Sequence, residues 1–248
     1  MTRRACTIFL TVILTTLATR GQETTYGTGY QTVLINNPAF TGSEGDGTLR
    51  LSYLNFFPGN NFNFNSVYVS YDAYIPGMHG GAGFFLSDDY LGGIINDLRG
   101  GISYAYHFQA DKNIFINAGL AASCFYRGYN NGRIILPDQI DPLNGKSFPS
   151  AESINERGRA VLDINTGIMV IGERFFAALA LNHLATPDLA GSGLHIDRIE
   201  RRLIFNLAGK FDLNKNLQII ARPMIMVDLQ GKERSMGAGG SLENNSLS

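Results

Sequence analysis

The sequence predicts an all-β fold: an antiparallel transmembrane β-barrel of the outer-membrane type, with short periplasmic turns and at least one long loop. Three observations predict it. The chain opens with an export leader. Apolar and polar residues then alternate with period two in segments of about ten residues, the length a tilted strand needs to cross a bilayer. Short clusters of Gly, Pro, Asn and Asp separate those segments.

Arg3 and Arg4 precede an apolar stretch over 8–17 that ends in small residues and a polar turn, the arrangement of a secretory signal peptide. A membrane helix needs roughly 20 apolar residues, and here Gln22, Glu23 and Thr24 follow at once. Cleavage is expected near Gly21, with Ala18 as the alternative, giving a leader at 1–21 and a barrel domain at 22–248. Three arginines and no acids leave with the leader, so the formal charge falls from −1 to −4. That balance speaks against a nucleic-acid partner. Cys6 leaves too, and Cys124 is then the single cysteine, so no intramolecular disulfide is available. The 29 Gly, 16 Phe and 11 Tyr with no Trp suit strands and tight turns better than helices. No stretch after the leader keeps an i, i+3, i+4, i+7 apolar stripe for three turns.

The clearest alternation runs over 66–75, with Val67, Val69, Tyr71, Ala73 and Ile75 opposite Tyr68, Ser70, Asp72 and Tyr74. Next, Ile102, Tyr104, Tyr106 and Phe108 oppose Ser103, Ala105, His107 and Gln109. Ile114, Ile116, Ala118, Leu120 and Ala122 oppose Asn117, Gly119 and Ser123. Leu162, Ile164, Thr166 and Ile168 oppose Asp163, Asn165 and Gly167. The stretch 175–181 is apolar on both faces, which predicts an inner face packed on a plug or a neighbouring wall. Leu203, Phe205, Leu207 and Phe211 oppose Asn206, Ala208, Lys210 and Asp212, and a last strand is expected over 217–229. One face of small and polar residues and one of Leu, Ile, Val and Phe edged by Tyr is the pattern of a membrane barrel; a periplasmic sandwich is the competing reading of alternation alone. Closure answers the backbone problem, because lipid offers no partner to an open strand edge.

Turns are expected at Pro58-Gly59-Asn60-Asn61, Pro76-Gly77, Asp111-Lys112-Asn113, Gly172-Glu173 and Asn214-Lys215-Asn216. The connection over 128–159 carries Pro137, Pro142 and Pro149 and little periodicity, too long for a turn. It is expected as an outer loop or folded into the lumen, and as the natural partner surface.

Few residues carry chemistry. His107 and His183 lie in different segments with no third ligand at a recognisable spacing, so no metal site is expected. The stretch from Asp138 to Gly145 resembles a calcium loop, but Pro142 and the missing later Glu spoil the pattern. Ser103 lacks the second Gly of a nucleophile elbow. Ser103 and His107 share a strand face at a separation of roughly 13 Å, too far for a direct bond. Asp88 and Asp89 read as a solvated turn, since adjacent residues point opposite ways. No phosphate-binding or dinucleotide motif occurs. No catalytic, cofactor-binding or metal residues are therefore expected.

The stretch Asn36-Asn37-Pro38-Ala39-Phe40-Thr41-Gly42 resembles the opening motif of the PorP/SprF family of type IX secretion system membrane proteins. Gly81-Ala82-Gly83 running to Ser87-Asp88-Asp89, then Ser103-Tyr104-Ala105-Tyr106-His107, then Asn182-His183-Leu184 with Pro187 agree in order. The resemblance covers roughly residues 30 to 230. It implies a structural or interaction role for Asn37, Pro38, Ala39, Gly42, Asp88, Tyr104, Tyr106, His107, His183, Leu184 and Pro187. It also implies a non-enzymatic barrel that serves the type IX export apparatus and, in gliding bacteria, helps secrete or anchor a large surface adhesin. The implied partners are secretion-system components, that adhesin and outer-membrane lipid, with no nucleic acid, cofactor or small-molecule substrate. Family members are usually longer and end in a membrane strand, so the polar ending at Glu243-Asn244-Asn245-Ser246-Leu247-Ser248 leads to the expectation of a C-terminal truncation. The competing readings are a small diffusion porin, which the sparse charge on the proposed lumen face disfavours, and an outer-membrane hydrolase using Ser103.

Overall fold

Period-two alternation builds strands, and each strand here pairs with its chain neighbour. The computed structural model describes residues 32–56, 64–130, 158–189, 198–214 and 219–244. Eleven strands follow in order: β1 (Thr48–Asn55), β2 (Phe64–Ile75), β3 (Gly80–Leu91), β4 (Ile95–Asp111), β5 (Ile114–Tyr129), β6 (Arg159–Gly172), β7 (Phe175–Asn182), β8 (Arg202–Gly209), β9 (Phe211–Asn214), β10 (Ile219–Gln230) and β11 (Glu233–Asn244). All pairings are antiparallel and form one sheet in the order β1 to β8, then β10 and β11, with β9 beside β10. Among the described residues β1 and β11 each have one neighbour. Among the described residues one helical turn, α1 (Val33–Asn36), precedes the sheet and is followed by a 3-10 turn at Pro38–Phe40.

The register assigns every side chain to a face. Tyr68, Ser70 and Asp72 of β2, Ser103 and Ala105 of β4, Asn117 and Ala121 of β5, and Asp163 and Asn165 of β6 all turn inward and are buried. Leu49, Leu51, Phe84, Ile102, Leu120 and Leu162 turn outward and stand more than half exposed or close to it. A continuous apolar face of that extent is unstable in water and suits a bilayer. Tyr53, Tyr71, Tyr106 and Tyr126 are exposed among it, as expected of rings with an apolar body and a polar tip. No helix among the described residues is long and apolar enough to cross a membrane. The fold is thus the all-β, transmembrane barrel type that the alternation predicts.

The turns at one end are short: Pro76–Met78 with His79 in the left-handed region (φ 50), Lys112 with Asn113, and Glu173 with Arg174. Several expectations lie outside the described residues: the leader, the turn at 58–61, the calcium-like stretch, nearly all of the connection after β5, and Lys215 with Asn216.

Four expectations are corrected. Asp88 and Asp89 are not a solvated turn but lie inside β3, Asp88 facing outward beside Tyr90 near its loop end and Asp89 inward; strand propensity is weak enough for position in the sheet to override it. The row from Leu203 to Phe211 is two strands, because the chain breaks pairing at Lys210, whose N–H instead bonds Arg174 O at 2.8 Å. The strand expected last, over 217–229, is followed by another: β11, Glu233–Asn244, pairs along its length with β10. Its glycines and serines are poor strand formers alone, so only the pairing marks it. Finally, the inner face is not sparsely charged. Arg50, Asp72, Asp97, Arg99, Arg127, Asp163, Arg202 and Asp228 all turn inward.

Cys124 stands exposed on the outward face of β5. In intact membranes a charged maleimide should leave Cys124 unlabelled, while an apolar fluorescent maleimide should react there and be quenched by brominated acyl chains. Equal labelling by the charged reagent would place this face in water and sink the assignment.

Candidate functional site

The segment before β1 crosses the inside of the sheet, and its path follows from local chemistry. One helical turn forms, with Asn36 N–H and Asn37 N–H donating to Thr32 O (3.2 Å) and Val33 O (2.9 Å). The residue before a proline is held extended, so Asn37 (φ −153, ψ 109) ends the turn. Pro38 then begins the 3-10 turn, where its missing N–H is no loss. Asn37 Oδ1 accepts from Ala39 N at 2.9 Å and caps it. Gly42 (φ +71) redirects the chain toward β1.

Each residue of this strap meets a different part of the wall. Asn37 Nδ2 donates to Leu179 O of β7 (3.5 Å), and a side chain at Gly167 of β6 would run into its amide oxygen. Pro38 lies against Gly119 of β5, where a Cβ would collide with strap backbone. Asn117 Nδ2, also on β5, donates to Ala39 O (3.4 Å). Thr41 Oγ1 donates to Pro38 O (2.8 Å) and lies 2.9 Å from Ser103 Oγ of β4. His107 Nε2–H, on the same strand, donates to Thr41 O (2.9 Å). A Cβ on Gly42 would meet Gly81 of β3, and one on Gly81 would meet Thr41 O, so the two glycines allow direct backbone contact. Gly42 N–H donates to Asp72 Oδ2 of β2 (2.7 Å). Asn182 Nδ2, at the end of β7, donates to Ile35 O (3.3 Å) and Asn36 O (3.1 Å).

Six adjacent strands thus meet one short segment, with Gly42 at β2 and β3 and Asn37 at β6 and β7.

Apolar packing backs the polar contacts. Leu34 and Ile35 cluster with Tyr68, Phe85 and Ala121. Ala39 packs with Met169 and Ala178, while Phe40 and Phe176 place their rings 5.5 Å apart. The inner face of β7, apolar from sequence, is thus covered by the strap.

Around the strap the inward charges are paired. Asp72 binds Arg50 as well as Gly42, and Arg50 reaches Glu44 at 2.8 Å. Arg127 grips Asp97 with Nε and Nη2, both at 2.7 Å, and Arg99 sits 4.8 Å over the Phe125 ring. Arg202 Nε approaches both oxygens of Asp228 at 3.0 and 2.9 Å. His183, buried and in the left-handed region (φ 58), places Nδ1 2.6 Å from Asp163 Oδ2 while its N–H donates to Asn165 Oδ1 (2.9 Å).

Of the residues singled out from sequence, Asn37, Pro38, Ala39, Gly42 and His107 come together in the strap and its seat. His183 lies one residue beyond Asn182, and Leu184 N–H donates to Ile164 O (3.0 Å), pinning the start of that connection to β6. Pro187 is buried, and its carbonyl accepts from Ile199 N–H at 3.0 Å. Asp88, Tyr104 and Tyr106 lie apart, on the outer face, where Tyr104 Oη donates to Met78 O (2.8 Å). Ser103 and His107 do not form a nucleophile and base; both are bonded to Thr41. Among the described residues no cluster of His, Cys, Asp or Glu is placed to hold a metal. Sequence reasoning misses Asp72, Asn117 and Gly119, although their signal is present: each is a small or polar residue on an otherwise regular inward row.

A lipid-facing antiparallel sheet with the chain's own N-terminal strap seated on its inner face defines a membrane protein of the β-barrel type. The chain matches the model of the type IX secretion system membrane protein PorP/SprF family over residues 18–243, and it belongs to that family. The family is one of secretion-system membrane components and not of enzymes. No curated protein and no solved structure matches the chain.

Two stability predictions follow from the seat. Asp72→Ala leaves Arg50 and the Gly42 N–H without their buried partner and should lower stability by roughly 3 kcal/mol, read as a fall in the urea midpoint of the lipid-folded protein; Asp88→Ala on the outer face should shift it by less than about 0.5 kcal/mol. Gly81→Val should abolish the compact, heat-modifiable band on unboiled gels, because its side chain must displace the Thr41 carbonyl.

Proposed function

We propose that this protein sits in the outer membrane, after removal of the leader at 1–21, and assists the type IX system in secreting or anchoring a large surface adhesin. Family membership over nearly the whole chain is the observation that carries this reading. The lipid-suited outer wall supports the membrane location, and residues 22–248 form the barrel domain. The partners are the export apparatus, the adhesin and outer-membrane lipid. The connection over 128–159 is the surface offered to them, because long loops on a rigid scaffold carry recognition. No enzymatic step is assigned: the two side chains that could have formed a nucleophile and base are both engaged by the strap.

Deleting the gene in the native cell should remove the adhesin from the surface, measured by antibody on intact cells, with the protein itself recovered in the outer-membrane fraction of the parent. Normal surface adhesin in the deletion strain would overturn the reading.

A further inference from the structure

The strap has two possible relations to the work of the protein. It could be a gate that leaves the lumen to open a passage, or a fixed part of the wall. We infer that it is fixed: residues 32–44 are a permanent stopper, and the barrel passes neither ions nor cargo while it serves export. This rests on the secretion role proposed above and specifies how that role is performed.

Three features carry the inference. The contacts are backbone to backbone at two points, Gly42 on Gly81 and Pro38 on Gly119, so the strap is seated closer than side-chain packing allows. A gate built to leave would rest on adaptable side chains, whereas here the wall has lost side chains to admit the segment. Next, the seat consists of polar groups matched to strap backbone, buried Asn117 to Ala39 O, half-buried His107 to Thr41 O and buried Asn182 to Ile35 O and Asn36 O. Departure would strand these donors inside the barrel with nothing in the wall to replace their partners. Last, the strap leads into β1 through a shared ion pair, since Asp72 holds both Gly42 N–H and Arg50. Moving the strap would therefore loosen the first strand as well, and a device for repeated opening would not be coupled to the integrity of its own wall. Two further sets of inward charges, Arg127 with Asp97 and Arg202 with Asp228, are paired with each other.

A disulfide staple tests this directly. Thr41 Oγ1 and Ser103 Oγ lie 2.9 Å apart, so cysteines at both positions are placed to bridge. The variant is Thr41→Cys with Ser103→Cys in a Cys124→Ala background, in the full chain and in native cells, with the staple verified by maleimide-mass tagging. Adhesin display with the staple formed should equal display after reduction, within twofold. A tenfold or greater loss on oxidation, restored by reductant and not seen in the parent, would show that the strap must move and overturn the inference. If the stapled chain fails to give a heat-modifiable band, the parent protein reconstituted in planar bilayers decides. No stepwise current is expected, and stepwise currents from verified inserted protein would overturn the stopper. If gene deletion leaves display unchanged, the secretion role fails, while the bilayer measurement still tests the stopper independently.

Discussion

The structure depends on the seating of one short segment, Asn37 to Gly42, against the inward faces of six neighbouring strands. A barrel wall of this kind has a built-in difficulty. Its outer face must be apolar to meet lipid, so alternation makes the inner face polar by default, and a polar face needs hydrogen-bond partners. Water fills that need in an open pore. Here the chain supplies its own partners, because a turn rich in free carbonyls and N–H groups presents more bonding capacity per residue than a helix or strand. Asn117, His107, Ser103, Asp72 and Asn182 each find a strap atom.

The inward charges extend the same logic. Asp97 with Arg127 and Asp228 with Arg202 are pairs between strands that are hydrogen-bonded neighbours. Pairs of this sort add little net stability once desolvation is counted, but removing one member is costly. Their effect is to fix which strand lies beside which. The wall and its contents are therefore specified twice, by the alternation that sets the face and by polar pairing that sets the neighbour.

The sequence made the wall legible and left its contents obscure. The rows Val67 to Ile75 and Ile102 to Phe108 announced themselves because lipid selects every second residue strongly. The turns at Pro76, Lys112 and Glu173 were equally plain. The both-sides apolar stretch of β7 correctly pointed to something packed against it. What could not be read was the seat itself: Asp72 looks like any polar residue on an inner row until Gly42 and Arg50 are seen beside it. Gly81, Gly119 and Gly167 likewise read as permissive strand glycines, and only the fold shows that they are the footprints of a backbone. The β11 strand escaped for a related reason, since its Gly- and Ser-rich sequence takes its extended form from β10. The family motif located the strap in the chain but not its role, because a string of residues does not say what lies across from it.

The position of the strap in the chain has a consequence for the order of assembly. It is the first described segment, yet Asn37 and Ile35 bind groups on β7, the latter across 147 residues of sequence. Its docking surface does not exist until seven strands have been laid side by side. Hairpins such as β2 with β3 and β4 with β5 close short loops, whereas seating the strap closes one of 147 residues and carries the larger loop-closure entropy. Until then the strap carbonyls and the polar inner rows rely on water for the bonds they later make with each other. A segment that precedes every described strand is thus seated only once β7 is in the sheet.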